Sequence, residues 1–333
     1  MRIWGGALVR NEQGRYLQRF CEQMRAICDH VIVIDDASTD NTADFCRQYD
    51  FSVLSSKKRL WDTDEVRQRK RLFNTLTSHA TPGDWILILD ADELFHAPHK
   101  VVRRELEYAK IHTSFMAYRL YDIWQIHNVG FINSKVKTPH CDGLGVVNAD
   151  ESGNVYFYRN DEYWNAHDSY WPMAYRYEGI QEWKWNEQSL HCGRFPYNIY
   201  KNISPSNYKL LHLGWATLAD RQQKYARYMK ADPDGKFGIM GQYQSILDPN
   251  PTLEVAIMNI KDMTDSFIIS MVHDIEELSE LQKELCKYLR GNENRNKIIE
   301  EVADVEIALN DIKAKFDIKE VNIKRAKLKK GVL

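Results

Sequence analysis

Blocks of apolar and polar residues alternate along the first 120 residues of the chain. Four short runs are apolar almost throughout, which is typical of strands that are buried on both faces. Between these runs, apolar residues recur every three or four positions, which predicts helices. The predicted strands cover 3–9, 31–34, 51–54 and 85–89, and the predicted helices cover 11–28, 38–49 and 62–79. This order predicts an α/β domain with a parallel sheet covered by helices on both faces.

The pattern changes in the second part of the chain. Residues 115–213 show short strand-like pieces among dense aromatics, and a run at 208–211 leads into His212 and a further helix. A linker is predicted at 248–251, because two prolines in three residues end a helix and favour extended backbone. Everything after this linker has a helical pattern. The predicted domains are residues 1–256 and 257–333.

Composition narrows the class of protein. A length of 333 residues leaves room for two domains, and 44% hydrophobic residues indicate a globular chain with a real core. The 45 basic and 47 acidic side chains nearly cancel, which disfavours a bulk polyanion binder. No apolar leader or membrane-length apolar run is present in the sequence, so we expect a cytoplasmic protein with no membrane partner. The six scattered cysteines are expected to be buried thiols.

Carboxylates follow two of the predicted strands. Asp35 and Asp36 end the second strand, and Asp90 and Asp92 follow the fourth. Ligands of open parallel sheets bind beyond the carboxyl ends of the strands, and a divalent metal held by carboxylates would bridge these residues to a diphosphate. The pattern therefore predicts a nucleotide-sugar pocket. Positive charge for the phosphates is available in the preceding helix from Arg67, Arg69, Lys70 and Arg71.

Three segments, two of which contain these carboxylates, resemble the inverting glycosyltransferase family 2, which has a GT-A fold. Residues 8–12 (Leu-Val-Arg-Asn-Glu) are similar to the opening strand-to-loop motif of that family. Residues 33–42 resemble its nucleotide-binding motif, and residues 83–93 resemble its metal-binding Asp-x-Asp strand. The resemblance covers residues 1–120 well and extends more loosely to about 256. It implies a Rossmann-like, mostly parallel sheet and transfer of a sugar from a nucleoside-diphosphate sugar to an acceptor hydroxyl.

The resemblance also implies site residues. Asp35 or Asp36 would contact the base or ribose of the donor, and Asp92, with Asp90, would hold Mn²⁺ or Mg²⁺ on its diphosphate. His212 is the candidate for a further metal ligand, and the alternative is a core histidine that donates to a backbone carbonyl. The other expected donor-binding residues are Arg10, Asn11, Glu12, Arg67, Arg71 and Ala91.

The general base that activates the acceptor hydroxyl is less well defined by the sequence. Asp161, Asp168, Glu178 and Glu182 lie in the aromatic middle region, where the family places its acceptor site. We favour Glu178 and Asp168. The alternative is that all four are solvated loop carboxylates.

The carboxyl-terminal part carries two apolar helical stripes separated by Gly291. A step of about 100° per residue places Glu277 and Glu280 beside the first stripe and Glu301 and Asp304 beside the second. These four carboxylates converge when the stripes pack as a helical hairpin, and such a cluster suits Mg²⁺. The alternative is the ordinary solvated face of a helix.

The spacing Glu276-Glu277-x-x-Glu280 followed by Glu301-x-x-Asp304 resembles the signature of the all-α MazG-like nucleoside triphosphate pyrophosphohydrolases. The resemblance implies Mg²⁺-dependent hydrolysis of a (d)NTP to a (d)NMP and pyrophosphate. The four converging acids would be metal ligands, and Glu276 would be an additional ligand or the water-activating base. Because a short hairpin buries little surface alone, a homodimer or homotetramer through these helices is expected.

The leading hypothesis is a metal-dependent glycosyltransferase fused to a MazG-like module. One alternative is a nucleotide pyrophosphohydrolase with a degenerate sugar-nucleotide-binding domain, and another is a helical tail that serves only oligomerisation. Pairing the two activities suggests a modified nucleotide or nucleic acid as acceptor, as in phage-type DNA base glycosylation, and for a phage-encoded chain the location would be the host cytoplasm. That suggestion is an analogy and not a deduction from residues.

Overall fold

The computed structural model describes residues 1–61, 63–128, 154–256, 277–315 and 323. Contacts within the chain divide it into two compact units, unit 1 (Met1–Asn259) and unit 2 (Ile260–Leu333). The predicted domain boundary at 256/257 falls close to this division. Glu276 and Cys141 lie outside the described residues.

The first half of unit 1 is a parallel sheet with helices. The strands β3, β2, β1 and β4 lie side by side in this order, and every pair among them is parallel. This confirms the predicted α/β architecture for this half, with element ends shifted by a few residues. The elements are β1 (Ile3–Val9), α1 (Leu17–Ile27), β2 (His30–Asp35), α2 (Thr42–Gln48), β3 (Ser52–Ser55), α3 (Glu65–His79) and β4 (Trp85–Ile88).

The second half of unit 1 extends the same sheet with mixed strand directions, so that ten strands are joined among the described residues. The region that the sequence pattern left irregular contains the long strand β6 and its partners. β6 is antiparallel to β7 and β8 and parallel to β9. The elements are β5 (Glu93–Phe95), α4 (His99–Glu107), β6 (Phe115–Asn128), β7 (Asn154–Arg159), β8 (Tyr170–Arg176), β9 (Ile203–His212), α5 (Leu218–Ala231), α6 (Met240–Ser245) and β10 (Leu253–Val255).

The residues that follow the predicted linker form a strand at the end of unit 1. The expectation of helix for every residue after 251 is wrong at its start, because β10 pairs with β7 in antiparallel register. The prolines at 249 and 251 favour extended backbone, and that conformation continues into the strand. The Tyr158 hydroxyl donates to Glu254 at 2.5 Å, which ties the added strand to its neighbour.

Two adjacent glycines let helices pack closely on both faces of β1. Successive residues of a strand point to opposite faces, so Gly5 and Gly6 face different helices. A Cβ on Gly5 would lie 2.7 Å from Met24 Cε in α1, and a Cβ on Gly6 would lie 2.6 Å from Leu76 Cδ1 in α3. Side chains of α1 and α3 occupy the space that larger residues would need at these positions, and β1 is therefore buried between the two helices.

Unit 2 contains two described helices, α7 (277–289) and α8 (Arg295–Lys315). A turn at Gly291, with φ of 92°, joins them. Glu284, in the middle of α7, is buried and accepts from Asn294 Nδ2 at 2.6 Å, which connects α7 to the residue that precedes α8. Val305 of the second predicted stripe is buried in α8, as is Ala308. The exposed members of the two predicted stripes are Leu278, Leu285, Tyr288, Leu289, Val302 and Leu309, and Ile299 and Ile307 are exposed beside them.

The free thiols among the described residues differ in burial. Cys21, Cys28, Cys46 and Cys192 are buried free thiols, as predicted, whereas Cys286 is exposed on α7. Among the described residues, no helix combines the length and the apolar character that crossing a membrane requires.

A buried carboxyl group on α4 predicts pH-dependent stability. Burial raises the pKa of Glu105 to about 7 from 4.5, against hydrogen bonds from Ser206 and Tyr118 that lower it. Folding therefore favours the protonated form, and this stabilising difference is lost as the pH rises from 4.5 through 7. We expect Glu105→Gln to raise the free energy of unfolding at about pH 8 by about 2 kcal/mol, with little effect near pH 4.5.

Denaturant unfolding followed by tryptophan fluorescence measures this effect, since all nine tryptophans lie in unit 1. Glu107→Gln on the same helix is the matched control, because Glu107 pairs with Arg103 at the surface and should gain no stability at high pH. An equal response of both variants would show that burial of Glu105 carries no penalty.

Candidate functional site

The loops after β1 and β2 are fastened to each other at the carboxyl edge of the sheet. Arg10 donates to the carbonyls of Asp36 (2.7 Å) and Ala37. The Asn11 side chain accepts from Thr39 N at 2.8 Å. Ala37 and Asn11 both have positive φ, so the two loops turn sharply here. Arg10 and Asn11 were predicted to bind the donor, and in the structure they connect the two loops that border the predicted pocket.

The two aspartates that end β2 have different surroundings. Both are buried. Asp36 accepts from Leu60 N (2.9 Å), Trp61 N (3.0 Å) and Gln68 Nε2 (2.6 Å) through its two oxygens. Asp35 accepts from Ser38 N at 3.1 Å. Asp36 therefore anchors the segment before α3, and Asp35 is the better placed of the two for a ligand contact.

The basic residues of α3 point in several directions. Arg69 is buried, and its Nη1 lies 3.2 Å from Asp90 Oδ1. Arg71 donates to Ser56 Oγ at 2.9 Å, whereas Arg67 is exposed. Lys70 pairs with Glu187 at 2.5 Å. Of the four, the structure brings Arg69 to the carboxylates that follow β4.

Asp90 belongs to a buried network of alternating charges. Arg194 lies 3.3 Å from Asp90 Oδ2 and also bonds Glu93, while Arg69 contacts the other oxygen of Asp90. Burial alone would raise the pKa of Asp90, but Arg194 and Arg69 outweigh it and lower the pKa. The structure does not bring Asp90 to the ligand atoms of Asp92 and His212. Its carboxylate is occupied by the two arginines.

The strand register places Asp92 beside His212. β5 pairs with β9 so that Glu93 lies opposite His212, and Leu213 N donates to the carbonyl of Asp92 at 2.7 Å. The facing atoms, Asp92 Oδ2 and His212 Nε2, are 3.7 Å apart. Two residues 120 positions apart in the sequence, both predicted to hold a metal, thus meet at one point.

A second carboxylate orients the histidine. β6 pairs with β9 so that Asp122 lies opposite His212, and Asp122 Oδ1 is 2.7 Å from His212 Nδ1. Trp215 Nε1 donates to the same oxygen at 3.1 Å. This arrangement fixes the imidazole ring and turns Nε2 towards Asp92. A carboxylate behind a histidine is the usual support of a metal-binding imidazole.

An ammonium group lies beside the facing pair. Lys224 Nζ is 3.4 Å from Asp92 Oδ2 and 3.3 Å from His212 Nε2. Burial would raise the pKa of Asp92, but Lys224 and His212 hold it well below its usual range. Burial and Lys224 lower the pKa of His212, and the carboxylates of Asp92 and Asp122 outweigh them and raise it to about 10. The site is therefore strongly polarised.

Glu12 lies at the border of this pair. Its Oε2 is 2.7 Å from Arg15, which also contacts Asp220 of α5 at 2.8 Å. Burial raises the pKa of Glu12 to about 7, with Arg15 opposing the rise and Asp92 adding to it. Glu12 was predicted from its motif, and the structure places it within the electrostatic reach of Asp92.

Gly214 packs directly against the facing atoms of Asp92 and His212. A Cβ on Gly214 would lie 2.2 Å from Asp92 Oδ2, 2.1 Å from Lys224 Nζ and 3.0 Å from His212 Nε2. Glycine is therefore required here, because any side chain would displace these groups. The carboxylate oxygen and the imidazole nitrogen that face each other form an acceptable donor set for a divalent ion.

The four base candidates fall in different places. Glu178 follows β8, whose Arg176 pairs with Trp85 at the start of β4, so it lies at the edge opposite Asp92. There it contacts Lys201 at 2.7 Å and lines an open cleft of about 650 Å³. The structure does not bring Glu178 to the site, because β8 runs antiparallel to β4.

Asp168 lies at the other end of β8, next to the strand that carries Asp122. Its neighbour His167 is buried and stacks on Tyr121, while Asp168 itself is exposed. Asp161 pairs with Arg159 at 2.5 Å, and Glu182 is exposed with its carbonyl bonded to Asn198. Asp168 and Asp161 both lie at the edge of the metal-binding pair, since β7 ends opposite Ile123 of β6. Of these two, Asp161 is paired with Arg159 and Asp168 is open to solvent.

Several residues of the site were missed by sequence reasoning. Asp122, Lys224 and Trp215 surround His212, and Arg194 contacts Asp90. No short motif contains them, because they come from β6, α5 and a loop that the pattern left irregular. The Gly214 that directly follows His212 and Leu213 was a usable signal of close packing.

A separate group of carboxylates lies in unit 2. Ligand oxygens of Glu277, Glu301 and Asp304 all lie within 4.8 Å of one another, the one such group of three acids, histidines or cysteines among the described residues. Burial and then the carboxylates of Glu280 and Asp304 raise the pKa of Glu301. Three of the five acids predicted for this site therefore meet, and Glu280 adds negative charge near Glu301. Glu276 lies outside the described residues.

One family model matches the amino-terminal part of unit 1. Residues 8–116 match the model described as Glycosyl transferase family 2. The match spans the loops of Arg10 and Asp35 and the Asp90 strand end, so it confirms the predicted resemblance for this segment. A comparison with the curated proteins gives no match. The resemblance of unit 2 to MazG-like enzymes stays a prediction.

Solved structures that are similar to part of this chain include glucosyl-3-phosphoglycerate synthase from Mycobacterium tuberculosis. Its complex with Mn²⁺, uridine diphosphate and glucosyl-3-phosphoglycerate is 13% identical and matches over 36% of this chain and 44% of that one, with a TM-score of 0.27. Its complex with Mg²⁺ and uridine diphosphate is 13% identical and matches over 36% of this chain and 43% of that one, with a TM-score of 0.27. A mycobacterial protein is 12% identical and matches over 36% of this chain and 41% of that one, with a TM-score of 0.28. The chain covers less than half the length of each of these proteins.

Proposed function

We propose that unit 1 is a metal-dependent glycosyltransferase that moves a sugar from a nucleoside-diphosphate sugar to an acceptor hydroxyl. The observation that carries the proposal is the facing pair of Asp92 and His212, with Asp122 behind the histidine. Both lie at the carboxyl edge of a parallel sheet, where ligands of such sheets bind. The family model on residues 8–116 supports the same reaction class.

The residues take the following roles in the proposal. Asp92 and His212 hold Mn²⁺ or Mg²⁺, and the nitrogen ligand favours Mn²⁺. Such an ion, when bound, supplies Lewis-acid stabilisation of the leaving diphosphate. Asp35 contacts the base or ribose, because the oxygens of Asp36 already accept three bonds. Arg194 beside Asp90 brings positive charge to the donor.

Asp168 is the proposed general base. It lies at the same edge of the sheet as Asp122 and is open to solvent, so an acceptor hydroxyl can reach it. The exposed rings of Tyr170 and Trp171 follow it in the chain and offer apolar surface to an acceptor. A modified nucleotide or nucleic acid is the acceptor class that the pairing with a nucleotide-hydrolysing unit favours.

Incubation with Mn²⁺ and a panel of nucleotide sugars tests this proposal. Slow hydrolysis of one donor, followed as release of the nucleoside diphosphate, is the expected result, because water replaces a missing acceptor in the site. Calorimetric titration of the same donors measures binding. Absence of both binding and hydrolysis for every donor would refute the proposal.

Gly214→Ala provides a local test of the metal-binding pair. The added methyl group needs the space beside Asp92 Oδ2 and His212 Nε2, so both ligand atoms must move. We expect donor hydrolysis to fall by about tenfold or more at a temperature well below the melting temperature of the variant, which should itself fall because buried groups must shift. An unchanged rate would show that this space is not used in the reaction.

We also propose that unit 2 binds Mg²⁺ and hydrolyses a (d)NTP to a (d)NMP and pyrophosphate. The convergence of Glu277, Glu301 and Asp304 within 4.8 Å carries this second proposal. Oxygen ligands of this kind suit Mg²⁺, and the mutual repulsion that raises the pKa of Glu301 is relieved by a cation. Pyrophosphate release measured across the common (d)NTPs tests it.

Two alternatives stay open for unit 2. Its hydrolysis is the main activity if triphosphates are cleaved and no nucleotide sugar is used. It is only an oligomerisation element if neither Mg²⁺ nor any triphosphate has an effect. The exposed Tyr288, Leu289 and Ile299 favour assembly in both cases, as a homodimer or homotetramer of this chain. Light scattering of Leu289→Ser against the unmodified chain distinguishes assembled from monomeric protein.

A further inference from the structure

The Lys224 ammonium occupies the position that a bound cation would take. Its Nζ lies within 3.4 Å of Asp92 Oδ2 and 3.3 Å of His212 Nε2, the two atoms that face each other in the site. It also lies 4.2 Å from the centre of the Trp215 ring. The side chains of Asp92, His212 and Lys224 are 12%, 17% and 14% exposed, so the three groups interact with little screening by solvent.

A divalent ion and this ammonium cannot share the site as it stands. An ion bound by Asp92 and His212 would sit next to Nζ, and two cations at such a distance repel strongly at low dielectric. A metal ion also requires the Nε2 lone pair of His212, the atom that lies 3.3 Å from Lys224 Nζ. One cation must therefore leave when the other binds.

We propose that Lys224 is a displaceable internal cation that competes with the divalent ion for Asp92 and His212. This inference rests on the proposed glycosyltransferase function of unit 1. Lys224 neutralises Asp92 in the metal-free protein and withdraws when the metal binds. It is a positioning residue that sets the affinity of the site for metal.

The helix that carries Lys224 offers the withdrawn ammonium a second acidic partner. Asp220 lies one turn earlier on α5, and an acid four residues before a lysine is the favoured orientation for an ion pair on a helix. Asp220 already contacts Arg15 at 2.8 Å, and Arg15 contacts Glu12. Asp220 and Glu12 therefore offer negative charge near Asp92, and the flexible side chain of Lys224 can move its ammonium group towards them.

The arrangement has a consequence for donor binding. While Lys224 neutralises Asp92, the site attracts a free divalent ion weakly. A donor diphosphate brings negative charge of its own, which both cations can then share. Metal is thus expected to bind weakly to the free protein and more tightly in the presence of a nucleoside diphosphate.

Mn²⁺ binding without any donor tests the competition. The full chain carrying Glu277→Gln and Glu301→Gln is the background, so that Mn²⁺ signals come from unit 1. Electron paramagnetic resonance measures free Mn²⁺, and the melting temperature by tryptophan fluorescence is the second readout. In this background, Lys224→Met is expected to bind Mn²⁺ tighter by about tenfold or more. Its melting temperature should fall without metal and recover with Mn²⁺, because Asp92 then regains a cation.

Matched variants separate the charge of Lys224 from its packing. Lys224→Arg keeps the charge and should keep the weak affinity, and Lys230→Met removes a charge from an exposed position of the same helix and should change nothing. Equal or weaker Mn²⁺ binding by Lys224→Met would overturn the proposal. Failure of the glycosyltransferase function is a separate result, since it appears as no donor hydrolysis by the unmodified chain whatever Lys224→Met does to Mn²⁺ affinity.

Discussion

Asp92→Asn is expected to lower Mn²⁺-dependent donor hydrolysis by about a hundredfold or more, the cost typical of losing one preorganised charge-stabilising group. The carboxylate is the anionic member of the facing pair, and its Oδ2 lies 3.7 Å from His212 Nε2. The amide keeps the size of the side chain but loses the charge that attracts a metal ion. It also leaves Lys224 without its closest acid in this site. The rate of nucleoside diphosphate release, measured across a range of Mn²⁺ concentrations, gives both the rate and the metal affinity.

Asp44→Asn is a suitable control, because it also removes an aspartate from unit 1 but an exposed one that pairs with Arg47. Hydrolysis by the control should stay close to that of the unmodified chain. Pyrophosphate release by unit 2 should be the same in all three proteins. A rate in Asp92→Asn equal to that of the control would contradict a metal role for Asp92.

The sequence was informative where the chemistry depends on neighbours in the chain. Asp35 and Asp92 each end an apolar run, and the carboxyl ends of parallel strands share one edge of a sheet. Their location at this edge therefore followed from local pattern alone. His212 was predicted because the family resemblance implies a later histidine ligand and this histidine ends a strand-like run, and the structure places it beside Asp92.

The sequence was uninformative where the site depends on strand pairing. Asp122 meets His212 only because β6 and β9 are parallel with these two residues in register. Glu178 is far from Asp92 because β8 runs antiparallel to β4. A sequence pattern of short apolar runs and aromatic residues does not show whether two strands pair in parallel or antiparallel direction. Lys224 depends on both the end of β9 and the angle at which α5 leaves it, so it too was missed.

Local geometry explains why the acids of unit 2 were easier to predict. Residues three apart on a helix are neighbours whatever the rest of the chain does. Glu301 and Asp304 are such a pair on α8, and Glu277 meets them once the hairpin closes at Gly291. The exposed residues Leu278 and Leu289 were predicted to be covered, because the sequence does not distinguish a hairpin core from an assembly surface.

Glu301→Gln is expected to reduce pyrophosphate release from (d)NTPs by about a hundredfold, again the typical cost of one charge-stabilising group. Glu301 is the acid whose pKa is raised by burial and by its neighbours Glu280 and Asp304. Its replacement removes a metal ligand and at the same time relieves repulsion, so activity should fall without loss of stability. A purely structural role predicts the reverse, a change in stability or assembly with no effect of Mg²⁺.

The matched control is Glu306→Gln on an exposed position of α8. Equal pyrophosphate release by the two variants would exclude the carboxylate cluster as the site of hydrolysis, while donor hydrolysis by unit 1 should be unaffected in both.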